Sequence, residues 1–310
     1  MRDIPVTETE PDHGISSLAM FLLIASPIFM ASNMIVARFM AGEFPPFAMA
    51  FWRWAICFLI MLPFVGKYLW QHRAIIWAEK LQLAILGAMG MGVCGAFVYI
   101  GGQTTTATNI GLVYASSPLM IIAISAAFFD EKQRPIQIIG IILGAIGLVT
   151  IVAKGDFNVL LNLNFTSGDL WILAASTGWA IYSLYLKFHP SKLATTPRLA
   201  AIILFGVMVL FPFTIWEGMT FATPEITQKN ILAILFLALF PALAAYLAYS
   251  KLQTLVTASI AGLTLYLTPI SNSIMAWIIL GEGFQTFHWI GSVFILLGLW
   301  MTTMKKKKKQ

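Results

Sequence analysis

The chain has 310 residues, of which 59% are hydrophobic and only 10% are charged, and its mean hydropathy is +0.84. Soluble domains carry about 25% charged residues, so this composition excludes a water-soluble globule. The net charge of +6 comes from lysines and arginines near the ends of apolar runs, and it therefore does not indicate nucleic-acid binding. The apolar runs leave no room for a large soluble head, which argues against enzymes that keep their chemistry there.

Ten apolar runs are each long enough to cross the roughly 30 Å of bilayer hydrocarbon. Because backbone groups in lipid must form their hydrogen bonds internally, each run predicts a helix. Two gaps between the runs are longer than the others. Gly66–Lys80 predicts a loop, and Lys154–Gly168 predicts either a loop or a small hairpin. The predicted spans are 17–40, 47–65, 81–101, 107–129, 136–153, 169–187, 198–216, 230–250, 257–280 and 287–304.

The distribution of basic residues predicts the orientation of these spans. With a cytoplasmic N-terminus, 15 lysines and arginines fall on the inner side and 3 on the outer side, so both termini are predicted to be cytoplasmic. Tail 1–16 is acidic, unlike a secretory signal, and the first span is predicted to be retained. The basic tail 305–310 either binds anionic lipid or is a solvated flank. A multi-pass protein of the cytoplasmic (inner) membrane is expected.

The chain also repeats itself. Six identities recur at an offset of 151 residues, which defines two five-span units, 17–153 and 169–304, joined by an external linker, 154–168. Because five is odd, the second unit enters the membrane from the opposite side. The predicted fold is an all-α integral membrane protein with ten transmembrane helices in two inverted five-helix repeats, an architecture typical of alternating-access transporters; a duplication without transport is the alternative. The identities are Ala107/Ala258, Gly111/Gly262, Pro118/Pro269, Glu131/Glu282, Gly140/Gly291 and Gly147/Gly298.

The same residues carry a family resemblance. Arg53, the pairs Ser117-Pro118 and Thr268-Pro269, and the two glutamates followed by Gly-x6-Gly resemble the ten-span, EamA-type branch of the drug/metabolite transporter superfamily. The first span departs from the family's Trp-Gly-x-Asn and keeps only Asn33. In general likeness the chain is most similar to bacterial exporters of aromatic amino acids. The resemblance implies secondary export of small molecules, and no cofactor, metal site or catalytic residue is expected.

Prolines near the middle of two spans predict kinks. Pro118 and Pro269 lack an N–H, so they free the carbonyls of Tyr114 and Leu265 in a continuous helix. They are predicted to act in gating, with a static packing kink as the alternative. The hydroxyls of Ser117 and Thr268 either satisfy the freed carbonyls or face a substrate cavity.

Aromatic and amide side chains inside the spans are the candidates for substrate binding. Trp179 and Tyr182 lie three residues apart and share a helical face, which indicates either an apolar pocket wall or ordinary packing. The amides of Asn33 and Asn272 can bind a substrate or bond across helices. Further candidates, without a facing residue fixed by the sequence, are Tyr99, Tyr246 and Tyr266.

Charged groups are almost absent from the predicted spans. Arg53 lies six residues into the second span, where it either binds a substrate carboxylate or bonds loop and helix-end carbonyls. All thirteen Asp and Glu residues lie in tails, loops or span ends. Proton-coupled carriers usually keep a buried acid or histidine, so strong proton coupling and a preference for lipophilic cations are not expected.

Small residues predict close helix packing in two spans. Ala84, Ala88, Gly92 and Ala96 recur in the third span, and Gly140-x3-Gly144 in the fifth serves either packing within one chain or a dimer; a monomer is expected. The leading hypothesis is an exporter of small amphiphilic metabolites, aromatic or other neutral amino acids, that works by alternating access. Export of drugs or other metabolites is the alternative, and an integral-membrane enzyme is disfavoured because no Asp/His cluster is present. The expected partners are a small-molecule substrate and the lipid bilayer.

Overall fold

A computed structural model describes residues 15–40, 42–105, 107–114, 116–131, 133–220, 227–280 and 285–304, and these residues form helices and turns without a β-strand. Six helices are long and apolar enough to cross a membrane, and the apolar stretches Ser17–Asn33 and Leu112–Phe128 are shorter. Large apolar side chains on the outer helix faces remain exposed, such as Phe64 and Phe128, because lipid rather than protein is their solvent in a membrane.

Ten helices, numbered α1 to α10, correspond in order to the ten predicted spans. The helices are α1 Ser17–Phe39, α2 Pro46–Gln71, α3 Lys80–Gly101, α4 Ala107–Tyr114 with Ser116–Phe128, α5 Pro135–Val152, α6 Ser167–Phe188, α7 Thr195–Thr220, α8 Gln228–Gln253, α9 Ala258–Gly262 with Thr264–Leu280, and α10 Thr286–Thr303. Helix α9 consists of two segments with a turn at Leu263 between them, and α4 is given by its described residues on either side of position 115.

The two longer connections differ from the sequence prediction. The gap predicted as the loop Gly66–Lys80 is largely helical, because α2 continues to Gln71 and a short helix follows at Arg73–Ala78. Its exposed Trp70 and Trp77 suit the membrane interface. In the second gap, Phe157–Leu161 forms a short helix instead of a hairpin, because Asp156 accepts a hydrogen bond from the Asn158 N–H and caps it.

The contacts between helices follow the inverted repeat. Helix α5 packs along α10, and α2 packs along α7, so each of these pairs joins equivalent helices of the two units. The contact of α3 with α6 is matched by that of α8 with α1, and α4 with α6 is matched by α9 with α1. The fold is therefore the predicted pair of inverted five-helix repeats, with its centre between α1, α3, α6 and α8.

Glycines from the repeated motif allow α5 and α10 to touch backbone to backbone. A β-carbon on Gly140 would lie 2.6 Å from the carbonyl oxygen of Gly298, and one on Gly147 would lie 2.5 Å from that of Gly291. Both distances are too short for any residue but glycine. Gly140 thus faces Gly298, the repeat equivalent of Gly147, and Gly147 faces Gly291, the repeat equivalent of Gly140. The Gly140-x3-Gly144 motif therefore serves packing within one chain.

A π-helical turn interrupts each of two equivalent helices. The turns are Ala88–Val93 in α3 and Ala238–Ala244 in α8, which begin 150 residues apart. Proline at position 241 lies inside the second turn. Turns of this kind are rare and occur frequently at functional sites, and neither was foreseen from the sequence.

Charged side chains at the helix ends tie the two units together. Glu131 accepts hydrogen bonds from the N–H groups of Ala258 and Ser259 at the start of α9, so its carboxylate caps that helix. Lys187 donates to the carbonyls of Gln253 and Val256 beyond the end of α8. The predictions for the first fourteen residues, the glutamate at 282 and the lysine tail 305–310 concern positions that lie outside the described residues.

Candidate functional site

Three predicted residues from three helices form a buried polar group. Arg53 of α2 is 3% exposed, and its Nη1 donates to Asn33 Oδ1 of α1 at 2.9 Å and to Tyr99 Oη of α3 at 2.8 Å. The hydroxyl of Tyr99 donates in turn to Asn33 Oδ1 at 2.8 Å. The guanidinium therefore bonds side chains rather than the loop or helix-end carbonyls that the sequence suggested, and among the described residues no carboxylate pairs with it.

Five aromatic rings form a connected group that meets this polar group at Trp54, over whose ring the Arg53 guanidinium lies at 4.7 Å. Trp179 and Tyr182 share a face of α6 with ring centroids 5.6 Å apart, as predicted. Trp179 also contacts Tyr246 and Tyr249 of α8, with centroids 5.6 and 4.8 Å away, and Tyr246 meets Trp54 of α2 at 4.7 Å. All five rings are buried. We call Asn33, Arg53, Tyr99 and these five rings the central cluster.

The backbone of α3 forms one wall of the central cluster. The hydroxyl of Tyr246 donates to the carbonyl of Gly90 in the π-turn at 3.1 Å, and a β-carbon on Gly90 would lie 2.6 Å from Tyr182 Cδ2. A β-carbon on Gly95 would lie 3.1 Å from Trp54 Nε1 and 3.3 Å from Arg53 Nη2. The absence of side chains at these two positions lets the cluster rest against the helix.

Substitution of Gly90 by alanine is expected to lower transport at least tenfold. The new methyl group would push the fully buried Tyr182 ring out of the cluster, and overpacking of this kind costs about 1–3 kcal/mol. Gly92→Ala is the matched control, because it changes the same π-turn but meets its nearest neighbour, Val209, at an ordinary 3.6 Å. Substrate uptake by both variants, reconstituted at equal density, checks this expectation; equal uptake would contradict it.

The remaining predicted residues lie outside the central cluster. Tyr266 packs against Gly144, where a β-carbon would lie 2.8 Å from its ring, in a separate apolar cluster with α5 and α10. Ser117 forms a 2.6 Å hydrogen bond with Ser176 of α6 and is fully buried. Thr268 and Asn272 lie on α9, and the Thr268 hydroxyl has no hydrogen-bond partner among the described residues. The structure thus joins five of the nine proposed substrate-binding residues, together with Arg53, in one cluster.

The two candidate gating prolines lie in α4 and α9. Pro118 is in the described segment Ser116–Phe128, and Pro269 is the sixth residue of the segment Thr264–Leu280, which follows a turn at Leu263. Helix α9 is therefore in two segments before its proline, and the gating role of both prolines stays a prediction.

Sequence reasoning missed two rings of the central cluster. Trp54 follows Arg53 directly, and Tyr249 lies three residues after Tyr246, so helical spacing pointed to both. Cys94 is 3.8 Å from the Tyr114 hydroxyl, a contact between α3 and α4 that no sequence spacing indicates. Cys94 and Cys57 are free and buried. Among the described residues no group of His, Cys, Asp and Glu side chains is arranged to hold a metal ion.

A cavity of about 940 Å³ lies on the predicted outer face and reaches toward the central cluster. It is bounded by Ile100, the neighbour of Tyr99, and by Trp171, which lies eight residues or about 12 Å before Trp179 along α6. Its volume is ample for a small metabolite. We call it the outer pocket; its aromatic lining is Phe44, Phe47, Trp171, Phe213 and Trp216.

A smaller cavity on the predicted inner face is the repeat equivalent of the outer pocket. It encloses about 260 Å³, and we call it the inner pocket. Arg198 lines it and donates to the carbonyls of Leu186 and His189, which ties its walls together. Five lining positions correspond at offsets of 149 or 150 residues: Gly42/Ser191, Phe44/Leu193, Pro46/Thr195, Ile100/Ser250 and Gln103/Gln253.

Each pocket lies beside a polar junction that also follows the repeat. At the outer end, Lys229 at the start of α8 pairs with Glu43 at 2.6 Å. At the inner end, Glu79 before α3 accepts hydrogen bonds from the Ser191 hydroxyl and from the Lys192 N–H. In the repeat, position 43 corresponds to position 192, and position 229 corresponds to position 79. The two junctions therefore join equivalent positions, but each position that holds a glutamate in one junction holds a lysine in the other.

Comparison with known proteins adds the following. The profile of the EamA-like transporter family matches residues 17–153 and again 166–304. An uncharacterized transporter of Bacillus subtilis, YetK, is 26% identical over 92% of this chain and 87% of its own length. An uncharacterized inner membrane transporter of Escherichia coli K12, YedA, is 24% identical over 92% of this chain and 90% of its own length. One crystal structure superposes with a TM-score of 0.72 at 18% identity, covering 92% of this chain and 96% of the other.

Proposed function

Because this chain belongs to the EamA-like transporter family, a family of multi-pass membrane transporters, we propose that it exports small amphiphilic metabolites, aromatic or other neutral amino acids in particular. The proposed location is the cytoplasmic membrane, with both termini on the cytoplasmic side. Transport is proposed to be secondary and without strong proton coupling. The alternative substrates, drugs and other metabolites, share the apolar character that the central cluster suits.

The central cluster is the observation that carries this proposal. A buried guanidinium without a carboxylate partner among the described residues can bind a substrate carboxylate, for which its planar donors are well matched. The adjoining rings of Trp54, Trp179, Tyr182 and Tyr246 offer flat apolar faces to a side chain. The cluster lies where the two repeats meet, which is where inverted-repeat carriers bind their substrates.

Alternating access is supported by the two pockets. Pockets with five equivalent lining positions enclose about 940 Å³ on the predicted outer face and about 260 Å³ on the inner face, an asymmetry that is expected of an alternating-access carrier stopped in one state. Exchange of these conformations would close the outer pocket and open the inner one, with the central cluster between them. The inner junction at Glu79 is placed to stabilise the closed inner end in this conformation.

Parallel uptake of labelled phenylalanine, tryptophan, threonine and alanine into proteoliposomes tests the proposed substrates. Phenylalanine and tryptophan are expected to accumulate fastest, because the pocket walls are aromatic. Vesicles without protein provide the background. No transport of any of the four amino acids would reject the proposal, and concentrative uptake driven by an imposed pH gradient would reject the absence of strong proton coupling.

Loss of the charge at the inner junction is expected to open the inner pocket. Glu79→Gln weakens the hydrogen bonds from Ser191 and Lys192, since bonds to a carboxylate are roughly twice as strong as neutral ones. A cysteine at Ser250, with Cys57 and Cys94 replaced by alanine, would then react several-fold faster with an impermeant maleimide applied from the inner side. Glu43→Gln is the matched control at the outer junction and should not accelerate this reaction; equal rates in both variants would contradict the role of the junction.

A further inference from the structure

Four polar atoms of the central cluster are buried and have no hydrogen-bond partner among the described residues: Arg53 Nε, Trp54 Nε1, Trp179 Nε1 and Tyr182 Oη. The three nitrogens can only donate, whereas the hydroxyl can donate or accept. The acceptors beside them are already engaged: Asn33 Oδ1 accepts from Arg53 and Tyr99, and the Gly90 carbonyl accepts from Tyr246. An unpaired acceptor, Gln253 Oε1, lies one turn beyond Tyr249 at the inner pocket. The cluster therefore offers donors and positive charge and few free acceptors.

A buried donor without a partner is costly, and a buried cation without a counterion is more so. A bound ligand that supplies acceptors and one negative charge would relieve both costs. A carboxylate does this, because its two oxygens carry about four acceptor sites. An ammonium group adds three donors and a second positive charge beside Arg53, and the cluster holds no described carboxylate to balance it.

We propose that the central cluster recognises the carboxylate of its substrate and does not require the α-ammonium. The substrate class is then aromatic monocarboxylates, with aromatic amino acids as members whose ammonium is tolerated rather than bound. This inference rests on the proposed function, because it assumes that the central cluster is the transport site.

The same inference names the driving force. A zwitterionic amino acid carries no net charge, so a membrane potential does not move it through an uncoupled carrier. A monoanion is driven outward by the negative interior of the cell. At equilibrium, a potential of 100 mV supports an external concentration about 50-fold higher than the internal one. Export of organic anions therefore needs no proton relay, in agreement with the placement of all thirteen Asp and Glu residues in tails, loops or span ends.

Three compounds that differ by one group each test the inference in proteoliposomes of the full chain. Phenylalanine carries both groups, 3-phenylpropanoate lacks the ammonium, and 2-phenylethylamine lacks the carboxylate. Currents are recorded on a solid-supported membrane, and uptake of labelled compound is measured in the same vesicles. Leakage of 3-phenylpropanoate as the neutral acid carries no charge, so the current reports the carrier alone.

The expected result is a current with 3-phenylpropanoate, uptake of phenylalanine without a sustained current, and neither signal with 2-phenylethylamine. Trp179→Phe, which keeps a ring and removes one donor, should raise the half-saturating concentration of 3-phenylpropanoate about tenfold. Trp70→Phe, an exposed tryptophan, is the control and should leave it unchanged.

Two results would overturn the inference and leave the proposed function intact: phenylalanine uptake without a 3-phenylpropanoate current, or transport of 2-phenylethylamine together with phenylalanine. Absence of transport for all three compounds would overturn both the inference and the proposed function.

Discussion

Replacement of Gly147 by leucine is expected to prevent α5 and α10 from packing, with a loss of at least about 3 kcal/mol of stability. A β-carbon at this position would lie 2.5 Å from the carbonyl oxygen of Gly291 and 2.9 Å from Ile295. Both obstacles include backbone, which cannot rotate away as a side chain can. Because close packing rather than hydrophobic burial holds helices together in lipid, separation of this pair removes much of its stability.

Size-exclusion profiles of detergent-solubilised protein after stepwise heating measure this effect. The control is Gly218→Leu, which makes the same substitution in α7, where a β-carbon would have no neighbour within 4 Å. The control should lose its monodisperse peak at nearly the wild-type temperature, whereas Gly147→Leu should lose it many degrees lower or fail to accumulate. Matching profiles for the two variants would show that the glycine contacts do not hold the pair.

Substitution of Arg53 by glutamine is expected to weaken substrate binding 10- to 100-fold without lowering thermal stability. Hydrogen bonds to a charged group contribute about 1.5–3 kcal/mol, which corresponds to that range of affinity. The substitution also removes a buried charge that lacks a described counterion, so the free energy of unfolding should stay constant or rise. A purely structural arginine would give the opposite pattern, a lower unfolding temperature with affinity largely preserved.

Two further variants separate charge from geometry. Arg53→Lys keeps the charge but loses the planar fork that bonds Asn33 and Tyr99, so its affinity should fall between those of wild type and Arg53→Gln. Arg73→Gln removes an arginine that lies outside the cluster and stacks on Trp70, and it should change neither quantity. Equilibrium binding of labelled phenylalanine and thermal unfolding of each variant measure both expectations.

The fold was accessible from the sequence because lipid restricts the choices. A backbone in hydrocarbon must be helical, so apolar runs located all ten helices, and an odd number of spans per repeat required the inversion. The identities at an offset of 151 also marked Gly140, Gly147, Gly291 and Gly298. The sequence alone did not show that equivalent glycines face each other crosswise, because that pairing depends on where the pseudo-two-fold axis passes.

The site was only partly accessible because it is assembled across helices. The spacing of Trp179 and Tyr182 placed them on one face, and their depth marked Asn33 and Arg53 as unusual. Spacing along one helix, however, carries no information about which residue of another helix it meets, so the bonds from Arg53 to Asn33 and Tyr99 could not be derived. The π-turns escaped prediction for a related reason: the turn Ala88–Val93 packs against Tyr182 and Tyr246 of other helices, and spacing along α3 does not indicate those contacts.

Photolabelling tests the location of the substrate site most directly. Purified protein is irradiated with free p-azidophenylalanine, with and without excess phenylalanine, and the modified peptides are identified by mass spectrometry. Labels should fall on α6 around Trp179–Tyr182 and on α8 around Tyr246–Tyr249, should disappear with phenylalanine, and should be lost in Arg53→Gln. Labelling confined to other helices, or labelling of these peptides that phenylalanine does not compete away, would contradict a substrate site in the central cluster.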